Sequence, residues 1–184
     1  MLSNAELVDV TQALATWTAV GLIAIGAILF VLGFAYVAVR RRTHSRAAAG
    51  EQVSNFGANA LLGAILAIVL SFVPFSQALG GIVAGYLESG SSERVVGVGA
   101  FSGFLSVAPL LALLVFVLAG IVAGLLEVGE GALALVVGAA LLLSLALLAT
   151  VGAGLGAIGG FLGGKLADRE RNGGSSANES DQTP

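Results

Sequence analysis

Long apolar runs alternate with short polar segments along the chain. The first apolar run, residues 13–39, leads directly into a polar segment, residues 40–55, that begins RRRTHSR. A longer apolar and glycine-rich stretch covers residues 56–167, and residues 168–184 are polar again. About 20 apolar residues cross a bilayer as one helix. The pattern predicts an all-α integral membrane helical bundle: a short external N-terminus (1–12), a transmembrane anchor helix (13–39), a basic cytoplasmic linker (40–55), a helical membrane domain (56–167) and a disordered cytoplasmic tail (168–184).

A proline interrupts the second apolar run. Phe56–Leu87 is 32 residues long, and as one helix it would measure about 48 Å, which exceeds the thickness of the hydrocarbon core. Pro74 lies near its middle, and proline disfavours helix at the residue before it. The run is therefore either one kinked helix or a hairpin whose limbs are Phe56–Val73 and Phe75–Leu87.

The charged residues favour the hairpin. If it forms, all eight basic residues lie on the cytoplasmic side, which agrees with the positive-inside rule. They are Arg40, Arg41, Arg42, Arg46, Arg94, Lys165, Arg169 and Arg171. We therefore predict five passes, with the N-terminus outside and the C-terminus in the cytoplasm. The hairpin limb after Pro74 is short for a full crossing, so it either crosses or is re-entrant.

One phrase occurs twice, as GIVAGYLESG from Gly81 and as GIVAGLLEVG from Gly120. Each copy contains the GxxxG spacing, which lets two helix backbones approach closely in lipid. The last apolar run continues this spacing over four glycines, as in a glycine zipper. The predicted helix-packing positions are Gly81, Gly85, Gly120, Gly124, Gly152, Gly156, Gly160 and Gly164. Each phrase ends in a glutamate, Glu88 or Glu127, followed two residues later by a glycine suited to stop the helix, Gly90 or Gly129.

Composition limits the possible functions. The chain is 57% hydrophobic and only 10% charged, whereas soluble domains carry about 25% charged residues. It has no cysteine and a single histidine, His44, which excludes thiolate and multi-histidine metal sites. It shows no catalytic pairing or phosphate loop. We therefore expect a cell-membrane protein that is not an enzyme and has no cofactor, metal or nucleic-acid partner.

The segment LLGAILAIVLSFVPFSQALGGIVAGYLESGSSERVVGVGAFSG, residues 61–103, resembles a family of haloarchaeal multi-pass membrane proteins, the domain of unknown function DUF5518. The shared features are the run into SFVPFS, the LGGIVAGYLE phrase, VGAFSG and a glycine-rich last helix. The resemblance covers roughly residues 55–167. It implies a haloarchaeal membrane and supplies no activity.

Two functions remain after enzymes are set aside. The first is a structural or assembly protein that packs through GxxxG contacts, with the bilayer and a second copy or another membrane protein as partners. The alternative is a small transporter or channel, whose polar path would use the few polar residues of the apolar runs. These are Asn59, Ser71, Gln77, Ser102, Ser106 and Ser144. A conduit usually needs more polar or charged residues within the membrane, so we favour the structural role.

Overall fold

The computed structural model describes residues 4–48, 55–88 and 91–180; the side chains of residues 43–44, 46–48 and 172–180 are outside this description. These residues form five helices and no strand. The helices are α1 (Asn4–Ala48), α2 (Phe56–Val69), α3 (Ser76–Glu88), α4 (Ser92–Glu127) and α5 (Gly131–Ser180). The all-helical prediction is confirmed.

Three of the helices are long and apolar enough to cross a bilayer. The qualifying stretches are Asn4–Arg42, Ser92–Glu127 and Gly131–Arg171. A shorter apolar helix covers Phe56–Val69. This composition is compatible with a membrane protein. In lipid, a helix is also the structure that satisfies every backbone donor and acceptor within one segment.

Two helices are longer than the sequence predicts. Helix α1 continues through the arginine cluster to Ala48, nine residues beyond the predicted end at Val39. Arginine and alanine are strong helix formers, and the segment up to Ala48 contains no glycine or proline after Gly33. Helix α5 runs to Ser180, into the tail for which we predicted disorder. No proline lies between Asp168 and Ser180 to break the helix.

The chain breaks between α2 and α3 around Pro74. Helix α2 ends at Val69 and α3 begins at Ser76, so the helix is not continuous through the proline. The linking residues form tight turns, with hydrogen bonds from Val73 N to Leu70 O (2.8 Å) and from Ser76 N to Val73 O (3.2 Å). Phe75 has a φ of 63°, a left-handed conformation that is unusual for a bulky residue. Asn59 near the start of α2 contacts Glu88 at the end of α3, and Gly63 farther along α2 approaches Gly80 nearer the start of α3, so the two helices are antiparallel.

A glycine ends α4 as predicted. Gly129 has a φ of 80°, which is a conformation that favours glycine. Its N–H donates to Leu126 O (3.1 Å), and the N–H of Glu130 donates to Leu125 O (2.8 Å). This pair of bonds is the Schellman motif, which satisfies carbonyls at a helix C-terminus. The corresponding prediction for Gly90 lies outside the described residues.

The contacts divide the chain into two compact units. The first unit contains Met1–Leu32 and Val107–Thr150, and the second contains Gly33–Ser106 and Val151–Pro184. The second unit has a core of fully buried small residues, Ala60, Ala84 and Val98, with Phe56 packed against it. Small side chains at the core allow the helices of this unit to approach closely.

Candidate functional site

The predicted stripe of α5 consists of four glycines, all buried in the second unit: Gly152, Gly156, Gly160 and Gly164. A Cβ atom on Gly156 would overlap the carbonyl oxygen of Gly99 and lie 2.8 Å from the Cα of Gly103. A Cβ on Gly160 would lie 2.5 Å from the carbonyl oxygen of Val95. The backbones of α4 and α5 are therefore in direct contact along this stripe.

The first copy of the repeated phrase lies against the same part of α5. A Cβ on Gly81 would overlap the carbonyl oxygen of Gly156, and one on Gly85 would overlap that of Gly160. Gly156 and Gly160 are thus approached by the backbone of α3 as well as that of α4. A Cβ added at either position would meet the α4 backbone, while α3 lies against the carbonyl oxygens of the same two residues.

Sequence reasoning missed further glycines that take part in these contacts. Gly99 and Gly103 supply the α4 side, where a Cβ on Gly99 would lie 2.6 Å from the Cα of Gly160. Gly159 and Gly163 face α3, and a Cβ added to either glycine would overlap a backbone carbonyl oxygen of that helix. Both pairs have the GxxxG spacing, so the signal was present in the sequence. The approach of Gly63 to Gly80 joins α2 to α3 and has no such local signal.

The second copy of the phrase contacts α1 within the first unit. A Cβ on Gly120 would lie 2.9 Å from the Cβ of Trp17 and 3.0 Å from the Cα of Leu14. A Cβ on Gly124 would lie 2.9 Å from the Cα of Val10. The two copies therefore make the same kind of close approach, but to different helices.

The glutamates that close the two phrases have different surroundings. The Glu88 side chain is 2% exposed and both of its oxygens are occupied. Asn59 Nδ2 donates to its Oε2 at 2.9 Å, and Arg94 Nε donates to its Oε1 in a short ion-paired contact. Glu127 is exposed. A buried carboxylate requires hydrogen bonds and a partner charge. Asn59 of α2 and Arg94 of α4 supply them to Glu88 of α3, so these contacts join the three helices.

The polar residues of the transport hypothesis occupy different environments. Asn59 belongs to the Glu88 contact, while Ser102 is fully buried and its hydroxyl has no hydrogen-bond partner in the described chain. Two further hydroxyls bond within their own helices: Ser106 donates to Gly103 O (2.8 Å), and Ser144 donates to Ala140 O (3.0 Å). Gln77 is half-buried and Ser71 is exposed.

Most of the predicted cytoplasmic basic residues are exposed. Arg40, Arg41 and Arg42 follow one another at the end of the apolar part of α1. On α5 the exposed basic residues are Lys165, Arg169 and Arg171, and the Lys165 Nζ lies 4.5 Å from the centre of the Phe161 ring. Arg94 is half-exposed, and the side chain of Arg46 is outside the description. Within the described residues, no group of three or more histidine or acidic side chains could hold a metal ion.

Comparison with protein families places most of this helical region in one family. Residues 57–166 match the model of a family of unknown function, DUF5518. Comparisons with curated proteins and with solved structures found no matching protein. The match extends from α2 into α5, leaves α1 outside, and covers more than half of the 184 residues. The chain belongs to the family of unknown function DUF5518.

Proposed function

We propose that the protein is a multi-pass cell-membrane protein with a structural or assembly role, whose helices pack through GxxxG glycines. The observation that carries the proposal is the direct backbone contact of α3 and α4 with Gly156 and Gly160 of α5. Within lipid, helices associate mainly through close packing. Because so many glycines take part in these contacts, we infer that the helices form a rigid bundle.

We further propose how the chain crosses the bilayer. Helices α1, α4 and α5 would cross it, whereas α2 and α3, at 14 and 13 residues, would enter from the cytoplasm as a re-entrant hairpin. Each of these two helices is about 20 Å long, short of the roughly 30 Å hydrocarbon core. Phe72 and Phe75 at the hairpin tip are 79% and 68% exposed, which suits lipid better than water. The N-terminus would lie outside and the C-terminus and all eight basic residues inside.

The glycine contacts support packing within one copy of the chain. The α5 stripe is covered by α4, and α3 lies against the same turns. A second copy, or another membrane protein, would therefore bind a different surface. We propose the bilayer as the immediate partner of this bundle. An assembly partner would bind one of the exposed apolar helix faces, such as the α1 face with Ile23 and Phe30 (75% and 76% exposed).

The polar side chains favour a structural role over transport. Ser106 and Ser144 satisfy their hydroxyls on their own helices, which leaves them poorly suited to coordinate a moving solute. Both oxygens of Glu88 are engaged by Asn59 and Arg94, which leaves it poorly placed to bind a moving solute. The fully buried cluster in the same unit as Glu88 and Ser102 is apolar, formed by Ala60, Ala84 and Val98. A conduit usually needs more polar or charged residues within the membrane than these.

Light scattering of the purified full chain in detergent tests the packing proposal. Gly156→Leu should lower thermal stability without changing the molecular mass of the particle, because the stripe packs inside one copy. A drop in mass with stability retained would place the contact between copies and contradict the proposal. The matched control is Gly154→Leu, since Gly154 has no atom within 4 Å of its added Cβ.

Flux measurements separate this function from the alternative. The chain reconstituted in vesicles should give no potassium or proton flux above that of protein-free vesicles. A flux that disappears in Ser102→Ala would replace the structural role with a conduit, since that variant removes only a buried hydroxyl.

A further inference from the structure

A cavity with polar and apolar walls opens between α1, α2 and α3 in the second unit. Its volume is about 310 Å³. Its polar side chains are Tyr36 and Arg40 from α1 and Asn55 and Asn59 at the start of α2; Leu62 and Leu87 form part of its apolar wall. The cavity thus combines a cation and amide groups with an apolar side.

Arg40 is held in place by its own helix. Its Nη1 donates a hydrogen bond to the Tyr36 hydroxyl at 2.7 Å, and the guanidinium carbon lies 5.9 Å from the centre of the Tyr36 ring. A guanidinium carries five N–H donors in a fixed fork. The bond to tyrosine uses one of them and fixes the side chain beside the cavity. This arrangement suits an oxyanion, which a guanidinium binds through two parallel hydrogen bonds.

The electrostatic balance of the cavity is positive. Arg40 is the only charged side chain among the described residues that line it. The nearby carboxylate of Glu88 is already neutralised by Arg94 and hydrogen-bonded by Asn59. Asn55 makes no side-chain hydrogen bond that caps α2, so capping does not occupy its amide. Arg41 and Arg42 continue the positive charge along α1.

We propose that this cavity binds the phosphate headgroup of an anionic membrane lipid. Arg40 would contact the phosphate, and the acyl chains would extend along the side of Leu62 and Leu87. The apolar run of α1 ends at Val39 and the arginines begin at Arg40, so the cavity lies where lipid headgroups meet the hydrocarbon. Basic pockets between membrane helices on the cytoplasmic side are typical headgroup sites. The inference requires a bilayer but does not depend on the glycine contacts.

Native mass spectrometry of the full chain in detergent tests the proposal. The probes are dioleoylphosphatidylglycerol, which is anionic, and dioleoylphosphatidylcholine, which has no net charge. We expect preferential binding of phosphatidylglycerol, and a loss of about tenfold in its affinity for Arg40→Gln, the usual effect of removing a charge-assisted hydrogen bond. Arg40→Lys should retain part of the affinity, because it keeps the charge but loses the fork.

The matched control is Arg41→Gln, which removes the same charge from an exposed neighbour that does not line the cavity. It should change the affinity by less than about twofold, because diffuse attraction between exposed charges is weak and screened by salt. Equal losses at Arg40 and Arg41, or equal binding of both lipids, would overturn the proposal. Displacement of the lipid by millimolar inorganic phosphate would also overturn it, in favour of a soluble anion.

A second variant tests the cavity without altering charge. Ala58→Phe places a ring in the cavity wall and should reduce phosphatidylglycerol binding while the helical circular dichroism is retained. Undiminished binding in that variant would place the lipid elsewhere.

Discussion

Replacing Gly156 by alanine adds one methyl group at the place where α3 and α4 meet α5. The new Cβ would overlap the carbonyl oxygen of Gly99 and lie 2.8 Å from the Cα and N of Gly103. Gly154, one half-turn away on α5, has nothing within 4 Å of an added Cβ. The same substitution at these two glycines therefore differs only in what the methyl group meets.

The magnitude follows from the size of the overlap. Ordinary contact begins at 3.4 Å, so α4 must move by at least about 0.6 Å to relieve the 2.8 Å contact with Gly103, and by more to clear the carbonyl oxygen of Gly99. A gap of 0.5–1 Å forfeits about a quarter to a half of the attraction at each contact it opens. Overpacking of this kind costs about 1–3 kcal/mol. Alanine also gains about 1 kcal/mol of helix propensity over glycine, but this gain occurs at both positions and cancels in the comparison.

Thermal unfolding in detergent, followed by circular dichroism at 222 nm, measures the difference. Gly154→Ala should unfold at or slightly above the wild-type temperature. Gly156→Ala should unfold at a temperature about 2–12 °C lower than Gly154→Ala, because 1 kcal/mol shifts the Tm of a chain of this size by about 2–4 °C. Equal Tm values for the two variants would refute the close contact at Gly156.

Three further predictions concern the ion pair and the threading of the chain. Arg94→Met should lower the free energy of unfolding by about 1–3 kcal/mol, because it removes a charged donor from the Glu88 carboxylate, which is 2% exposed. Adding Glu88→Gln should recover part of this loss. Simple additivity of the two changes in a double-mutant cycle would show that the two groups are uncoupled. A reporter fused after Glu127 should be external and one fused after Arg171 internal, and an external signal after Arg171 would contradict the proposed topology. Because the chain has no cysteine, a single Phe72→Cys variant should be protected from water-soluble maleimides if the hairpin tip is in lipid, and rapid labelling from either side would place the tip in water.

Local signals in the sequence predicted the features that depend on a few neighbouring residues. Pro74 predicted the break that separates α2 from α3, because proline acts on its own backbone and on the preceding residue. Gly129 predicted the end of α4 because this helix stop depends only on the backbone of one residue, whose φ must be positive. The apolar runs predicted the helices, because a helix satisfies every backbone group within one segment, as a membrane span would require.

The helix ends and the partners of polar residues could not be predicted in this way. The end of α1 at Ala48 depends on helix propensity outside the apolar run, where no hydrophobic pattern marks a boundary. Nothing near Glu88 in the sequence indicates that it is buried, whereas Glu127 in the matching phrase is exposed. Its burial depends on Asn59, which lies 29 residues away and becomes a neighbour only through the reversal at Pro74.

The repeated phrase illustrates why a GxxxG motif predicts close packing without predicting the partner. The motif removes two side chains from one helix face, so any helix that reaches that face can approach to backbone contact. Gly81 and Gly85 are met by a surface that is itself glycine, at Gly156 and Gly160, so backbone lies on backbone. A Cβ on Gly120 would lie 2.9 Å from the Cβ of Trp17 and 3.0 Å from the Cα of Leu14, so here α1 approaches the glycine less tightly. A substitution to alanine should therefore be tolerated better at Gly120, where the nearest atom of α1 lies 2.9 Å from the added Cβ, than at Gly81, where the added Cβ overlaps a backbone carbonyl oxygen that cannot move without its helix.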